Sequence, residues 1–367
     1  MGSTDELTVL LMSGSWYEGN AYMTLLSNAL REHGVGVRTP ELLLLFPLTR
    51  TVLRNRDADV MQLDWVYDYY ATDDLESQRL NDLVSFLRAA AFLLDLFVVS
   101  LLDVRVVRTV HNKRSHEGIY PRTERIVSEC VFWVADAITV KCSAAAHEIA
   151  LAYRVPEADE MYVVPDGNYI EAYDNDVSRA EARADLGIEG GAFVFLFFGQ
   201  IRPYKGVPEL VEAFSSLDFA DVELWIVGSP YNDDIETQVT ALAADDPRIE
   251  TRLDFIPDDR LQYYLNAADA LVLPYRKILN SGSAHLGLSF GTPIVAPEIG
   301  CLPETVPAEN DFLYDPATTD GLSRALRRAY ESPDLDSVGR ANYQRARAQS
   351  WERTCESLVA VYADANE

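Results

Sequence analysis

A chain of 367 residues, 48% of them apolar, with scattered glycine and proline and no short-period repeat, has the length for two globular α/β domains rather than one. Its formal net charge of −27 leaves no basic face for a phosphate backbone and excludes nucleic acid as a partner. Four widely separated cysteines without Cys-x-x-Cys spacing, and five histidines with no His-x-x-x-His or Glu-x-x-His pair, spell no metal site.

Leu7–Met12 predicts a first strand, followed by a polar turn to Asn20 and a helix from about Ala21 to His33, with Leu25, Leu26, Ala29 and Leu30 on one face. Asp59–Leu63 predicts a strand that delivers Asp64 and Trp65 to its carboxyl end, where open α/β sheets bind their ligands. The most apolar run is Leu83–Leu102, interrupted by Ser85, Arg88, Asp95 and Ser100. Too short and too charged to span a bilayer, it reads either as a buried helix or as one lying in the membrane interface.

Arg105–Val110 predicts the next strand, and it carries His111, Lys113, Arg114, His116 and Glu117 to the same edge. A lone histidine is more often structural. Two of the chain's five histidines beside two cations and a carboxylate are a concentration of acid–base groups, so His111, His116 and Glu117, with Asp64, are the candidate catalytic residues. Ala137–Val140 predicts a strand, Ser143–Tyr153 a helix and Met161–Val164 a strand that closes the first domain before the turn Pro165-Asp166-Gly167-Asn168-Tyr169. The polar stretch from Asp174 to Gly191, with one short helix ending at Leu186, predicts a linker.

The run Phe193–Phe198 fits a strand buried on both faces of a parallel sheet. It stops at Gly199, passes Arg202 and Lys205, and reaches Gly206 at the start of a helical pattern set by Val207, Leu210, Val211 and Phe214. A strand end, a turn, two cations and a helix start make an anion site, with backbone N–H groups and an arginine fork for a phosphate. The alternative is a surface loop whose cations pair with nearby carboxylates. The loop is neither a P-loop, because Lys205 precedes its glycine, nor a dinucleotide fingerprint, because it lacks the three glycines.

The β-α rhythm then repeats: strands over Val222–Val227, Ile249–Arg252 and Ala270–Leu273, helices over Asp234–Ala244 and Asp258–Ala267, implying a second doubly wound parallel sheet. Ser281-Gly282-Ser283 at a helix start offers a second set of N–H and hydroxyl donors to an anion, or else an ordinary N-cap. The last helices, Asp336–Gln349 and Trp351–Ala363, are amphipathic.

Several of these stretches, in this order, resemble family 4-like glycosyltransferases of the GT-B fold, especially the branch building exopolysaccharides and lipid-linked sugars. They are Gly199-x-x-Arg202-x-x-Lys205-Gly206, Val110-His111-Asn112 with His116-Glu117, the turn at Pro165 to Gly167, and Gly291-Thr292-Pro293-Ile294-Val295-Ala296. The resemblance implies two Rossmann-like, doubly wound domains facing a central cleft. Residues 1–172 would bind the acceptor, 173–191 would link, 192–348 would bind the nucleotide sugar, and 349–367 would cross back onto the first domain. It also implies that Gly199, Arg202, Lys205, Ser281, Gly282 and Ser283 hold the donor diphosphate without metal or cofactor. One departure stands out: the two glutamates usual in retaining family members fall near Ile278 and on Leu286, and neither is acidic.

The expected activity is transfer of a hexose from a UDP- or GDP-sugar to a hydroxyl of a glycan or polyprenyl-linked acceptor, with a peripheral membrane contact through Leu83–Leu102. A GT-B epimerase or a non-catalytic nucleotide-sugar-binding protein is the alternative. The chain start lacks the basic region of a signal peptide, so a cytoplasmic protein, at most at the cytoplasmic face of the membrane, is expected. Lysine occurs only at 113, 141, 205 and 277; the acidic, lysine-poor composition predicts adaptation to high salt.

Overall fold

A computed structural model of the chain describes residues 7–13, 20–40, 46–72, 77–114, 120–155, 157–188, 190–219 and 221–364. By its contacts the chain divides into two units, one ending at Asp166 and rejoined from Trp351 onward, the other Gly167–Ser350.

The first unit is a six-stranded parallel sheet. Its strands are β1 (Thr8–Met12), β2 (Gly36–Arg38), β3 (Val60–Leu63), β4 (Arg105–Thr109), β5 (Ala137–Val140) and β6 (Tyr162–Val163), in spatial order β2-β1-β3-β4-β5-β6. Its helices are α1 (Ala21–Glu32), α2 (Pro47–Arg54), α3 (Gln78–Val99), α4 (Pro121–Val134) and α5 (Ser143–Ala152), with the chain's last helix, Trp351–Asp364. Strand residues alternate between two cores, as a period of two requires. Leu10 and Met12 meet α2, α3 and α4, while Val9 and Leu11 meet α1 and the last helix through Leu26, Leu30, Leu358 and Tyr362.

The second unit repeats the plan. Its strands are β7 (Phe193–Phe198), β8 (Val222–Val227), β9 (Ile249–Arg252), β10 (Ala270–Val272), β11 (Ile294–Pro297) and β12 (Leu313–Tyr314), in order β12-β11-β10-β7-β8-β9, all parallel. The helices are α6 (Arg179–Leu186), α7 (Val207–Ser215), α8 (Asp233–Ala243), α9 (Asp258–Ala267), α10 (Gly282–Ser289), α11 (Leu302–Thr305), α12 (Gly321–Tyr330) and α13 (Leu335–Ala348); the last helix of the chain is therefore α14. In β7, Val194 and Leu196 enter the core shared with α9 and α10, and Phe195 and Phe197 enter the core shared with α7, α8 and α12. Burying both faces is why this strand is an unbroken apolar run, each large side chain contributing about 2 kcal/mol of burial.

The helix predicted over Leu83–Leu102 exists as α3, but the reading of it as buried is corrected by its orientation. Its inward face carries Phe92, Leu96 and Val99 together with the polar Asn81, Ser85 and Asp95. Asp95 accepts the N–H groups of Leu48 and Thr49 at the start of α2, at 2.7 and 2.9 Å, and Ser85 Oγ accepts the N–H of Thr72 at 3.0 Å. These polar groups are drawn inward to satisfy helix and loop donors, and Leu80, Leu83, Leu87 and Leu94 are left outside. Among the described residues no helix is long and apolar enough to cross a membrane.

Candidate active site

In an open parallel sheet the loops at the carboxyl ends diverge where the strand order reverses, and ligands bind there. In the second unit that point is β7, flanked by β10 and β8. The loop after β7 runs through Gly199 at φ 121° and a short 3₁₀ turn, Pro203–Lys205, to Gly206 at φ 70°, from which α7 starts. The chain needs glycine at both ends. A Cβ on Gly206 would lie 2.0 Å from the Pro274 carbonyl oxygen, and one on Gly199 would sit 3.3 Å from Lys205 Nζ and 3.5 Å from Ser283 Oγ. Lys205 and Ser283 therefore converge over the backbone of Gly199.

Atoms packed around the Lys205 ammonium, and then the Arg202 cation, push its pKa down to about 8. Among the described residues no carboxylate acts on Lys205, so the cation-and-carboxylate reading of this loop finds no support there. Arg202 stacks over Tyr231 at 4.7 Å and its Nε donates to Gln200 Oε1 at 2.8 Å. Opposite, Ser281 caps α10 by accepting the Ala284 N–H at 3.2 Å, and its Oγ lies 3.1 Å from the Tyr275 hydroxyl. Burial raises the Tyr275 pKa, against hydrogen bonds with Ser281 and Ser283 that lower it. Gly282 and Ser283 thus open a capped helix whose positive end lies beside the half-buried Lys205, an arrangement that favours an anion. Leu286, where a glutamate was absent from the sequence, is buried in the core behind α10.

In the first unit the ends of β3 and β4 bring Asp64 and His111 together. His111 Nε2 donates to Asp64 Oδ1 at 2.8 Å. The Asp64 carboxylate also accepts from Gln62 Nε2 at 3.2 and 3.1 Å, and Gln62 Oε1 accepts from the Tyr362 hydroxyl of α14. Arg108, pushed down to about 10 by burial, donates to the carbonyl oxygens of Leu63, Asp64 and Thr109. The imidazole stacks on Trp65 at 4.3 Å and 14° and meets the edge of Tyr22 at 4.9 Å. Burial holds the His111 pKa below its ordinary value, although Asp64 raises it. The neutral ring therefore keeps its proton on Nε2 and a lone pair on Nδ1. His116 and Glu117 lie outside the described residues.

Sequence reasoning missed a second polar pair here. Lys141 Nζ, at the end of β5, lies 2.7 Å from Asp166 and 3.1 Å from the Tyr22 hydroxyl, all three buried. Its signal was available: one of only four lysines in the chain stands directly after a strand.

Residues 178–348 match the family described as Glycosyl transferases group 1. A GDP-mannose:glycolipid 4-beta-D-mannosyltransferase of Xanthomonas campestris pv. campestris is 32% identical over 163 residues, 41% of this chain and 47% of that one. A D-inositol 3-phosphate glycosyltransferase of Saccharomonospora viridis is 30% identical over 260 residues, 67% of this chain and 59% of that one. The matched regions thus span about half to three fifths of the length of these relatives. Among solved structures, sucrose-phosphate synthase from Thermosynechococcus elongatus has TM-score 0.74 at 18% identity, covering 98% of each chain. HepE from Anabaena, in complex with UDP and glucose, has TM-score 0.71 at 17% identity, covering 98% of this chain and 100% of that one. Similarity at such low identity concerns the fold.

Proposed function

We propose that this chain, whose residues 178–348 match the family described as Glycosyl transferases group 1, is a GT-B glycosyltransferase. It moves a hexose from a UDP- or GDP-sugar to a hydroxyl of a glycan or lipid-linked acceptor. The observation that carries this reading is the convergence of Lys205 and Ser283 over Gly199, beside Arg202 and the start of α10. HepE is similar in fold and was solved with UDP and glucose; the mannosyltransferase relative is named for a GDP-sugar donor and a glycolipid acceptor.

In this reading the second unit holds the donor. As the bond from the anomeric carbon to the diphosphate oxygen breaks, negative charge grows on the leaving group. Arg202, Lys205 and the N–H groups of Gly282 and Ser283 stabilise it, the task a divalent ion performs elsewhere. The first unit binds the acceptor, whose hydroxyl oxygen bonds to the anomeric carbon and whose proton passes to a protein base. Asp64, His116 and Glu117 are the candidates for an inverting course, and His111 is the candidate for a retaining one. The engaged carboxylate of Asp64 supports an orienting part for it, with His111 as the working group. A cytoplasmic protein touching the membrane through residues 83–102 suits a lipid-linked acceptor, and the composition suits a high-salt cytoplasm.

Calorimetry with UDP and GDP, followed by NMR of the product anomer with the donor so identified, tests the reading. Saturable binding of one nucleotide, lost in Lys205→Ala, is expected. Conversion of the donor to an epimer without acceptor would replace transferase by epimerase, and binding without turnover would leave a nucleotide-sugar-binding protein.

A further inference from the structure

Helix α3 turns its apolar stripe outward. Leu83, Leu87, Ala90, Leu94 and Phe97, with Leu101 just past its end, alternate four and three residues apart and are all exposed. Phe86 beside them is 62% exposed. The helix packs against both α2 and α4, and those neighbours extend the surface with exposed Leu53, Ile126 and Trp133, the last 80% exposed. A contiguous apolar face of this kind is uncommon on a soluble domain and marks an interaction surface.

The charges around it identify the occupant. The three helices expose Arg50, Arg54, Arg79, Arg88, Arg122 and Arg125. Against these stand the exposed Asp82 and the half-buried Glu129, which is bonded to Arg125 at 2.9 Å. The helices' remaining carboxylates, Asp95 and Glu124, are buried. A local excess of arginine in a chain of net charge −27 is a departure from its own composition; α8, by contrast, exposes Asp233, Asp234 and Glu236 and carries no cation. Leucine and phenylalanine flanked by arginine, with an exposed tryptophan on the adjoining α4, are the parts of a helix layer lying in an anionic lipid interface.

We infer that α2, α3 and α4 together form a docking surface for an anionic bilayer, the leucine and phenylalanine side chains entering the acyl boundary and the six arginines meeting lipid phosphates. The inference deepens the membrane contact proposed above and concerns binding alone. The four-three spacing also suits a helix from a second copy, but a two-fold pairing would bring the same arginines together, which disfavours it.

Flotation of the full chain with vesicles of phosphatidylglycerol and phosphatidylcholine, against phosphatidylcholine alone, tests the inference without donor or acceptor. At roughly physiological salt at least ~10-fold more protein should float with the anionic vesicles. Phe86→Glu with Phe97→Glu, both on the solvent face, should abolish flotation while circular dichroism and nucleotide binding stay unchanged. Arg50→Gln with Arg122→Gln should weaken the preference for anionic lipid. No flotation by the folded wild type, or equal flotation with both lipids, overturns the inference. So does a lipid-free dimer that the glutamate pair converts to monomer. Because nucleotide binding is read separately, failure here leaves the glycosyltransferase reading standing, and the converse also holds.

Discussion

Asp64 Oδ1 accepts the Nε2 proton of His111 at 2.8 Å in a pocket where the carboxylate is fully buried and the imidazole nearly so. The pair joins two neighbouring strand ends and sets which nitrogen of the ring is free. Asp64→Asn keeps the shape but no longer dictates the tautomer, because an amide can present oxygen or NH₂. Turnover should fall by ~10²-fold or more with KM little changed. Steady-state kinetics check this; an unaltered kcat would remove Asp64 from the reaction.

The pH profile follows from the same burial. With its folded pKa held below the ordinary imidazole value of 6.5, His111 stays neutral while the unfolded chain takes up its proton. Between the two values the unfolded state binds more protons, so stability falls as pH drops below about 6.5. If His111 is the working base, kcat declines on the same side. His111→Gln should flatten the acid limb of both curves, measured by denaturant titration and initial rates across pH 5 to about 8.

A depressed lysine has the opposite practical consequence. Lys205, pushed down to about 8, is costly to keep charged at neutral pH without an anion. Lys205→Met removes that cost and should stabilise the free protein by ~1–2 kcal/mol, the shift being discounted for the water that reaches a half-buried side chain. The same change should weaken nucleotide affinity, and wild-type affinity should decline as pH rises through about 8. Thermal denaturation and calorimetry report the two halves; a destabilised variant would mean the lysine serves the fold.

Much of this was legible because parallel strands covered on both sides cannot hide their composition. Phe193–Phe198, Val222–Val227 and Ala137–Val140 stand at the bounds their apolar runs predict. The anion loop was legible for a different reason, since glycines at 199 and 206 bracket two cations. Less could be read where tertiary contacts overrule pattern. The three-residue β2 and two-residue β12 are too short to carry a period. For helix α3 the sequence left a buried and an interfacial reading open, and only the inward-facing Asn81, Ser85 and Asp95 show which face is covered. The ring of Trp65, Tyr22 and Lys141 around His111 assembles residues from positions 22 to 141, which no local spacing signals.

Gly206 and Gly34 form a matched comparison, with φ 70° and 76°. Alanine at Gly34 meets nothing within 4 Å and should cost only the ~1–2 kcal/mol of a left-handed residue. Alanine at Gly206 would press its methyl within 2.0 Å of the Pro274 carbonyl, so the anion loop must move. Gly206→Ala should cost ~2 kcal/mol more than Gly34→Ala and abolish nucleotide binding. Equal losses in the two variants would show that the loop tolerates displacement.

A net charge of −27 predicts a salt response that ordinary packing does not. Carboxylates spread over the surface repel across water, and raising ionic strength from ~0.1 to ~1 M shortens the screening length from ~10 to ~3 Å. The unfolding midpoint should therefore climb steeply with potassium chloride. Equal stability at both concentrations would reject the high-salt adaptation.

The hydroxyl of Tyr362 reaches the His111 pair through one intermediary, donating to Gln62 Oε1 while Gln62 Nε2 donates to Asp64. All three side chains are buried, so each bond is held in a weakly screened setting and a missing donor is not replaced by water. Tyr362→Phe leaves Gln62 Oε1 without that donor, at a stability cost of ~1–2 kcal/mol. It also frees the Gln62 amide to turn over and withdraw its N–H from Asp64. The carboxylate would then bind the His111 proton more strongly, moving the acid limb of the kcat profile to higher pH. A purely structural role for Tyr362 would lower the unfolding midpoint and leave that limb where it is in the wild type.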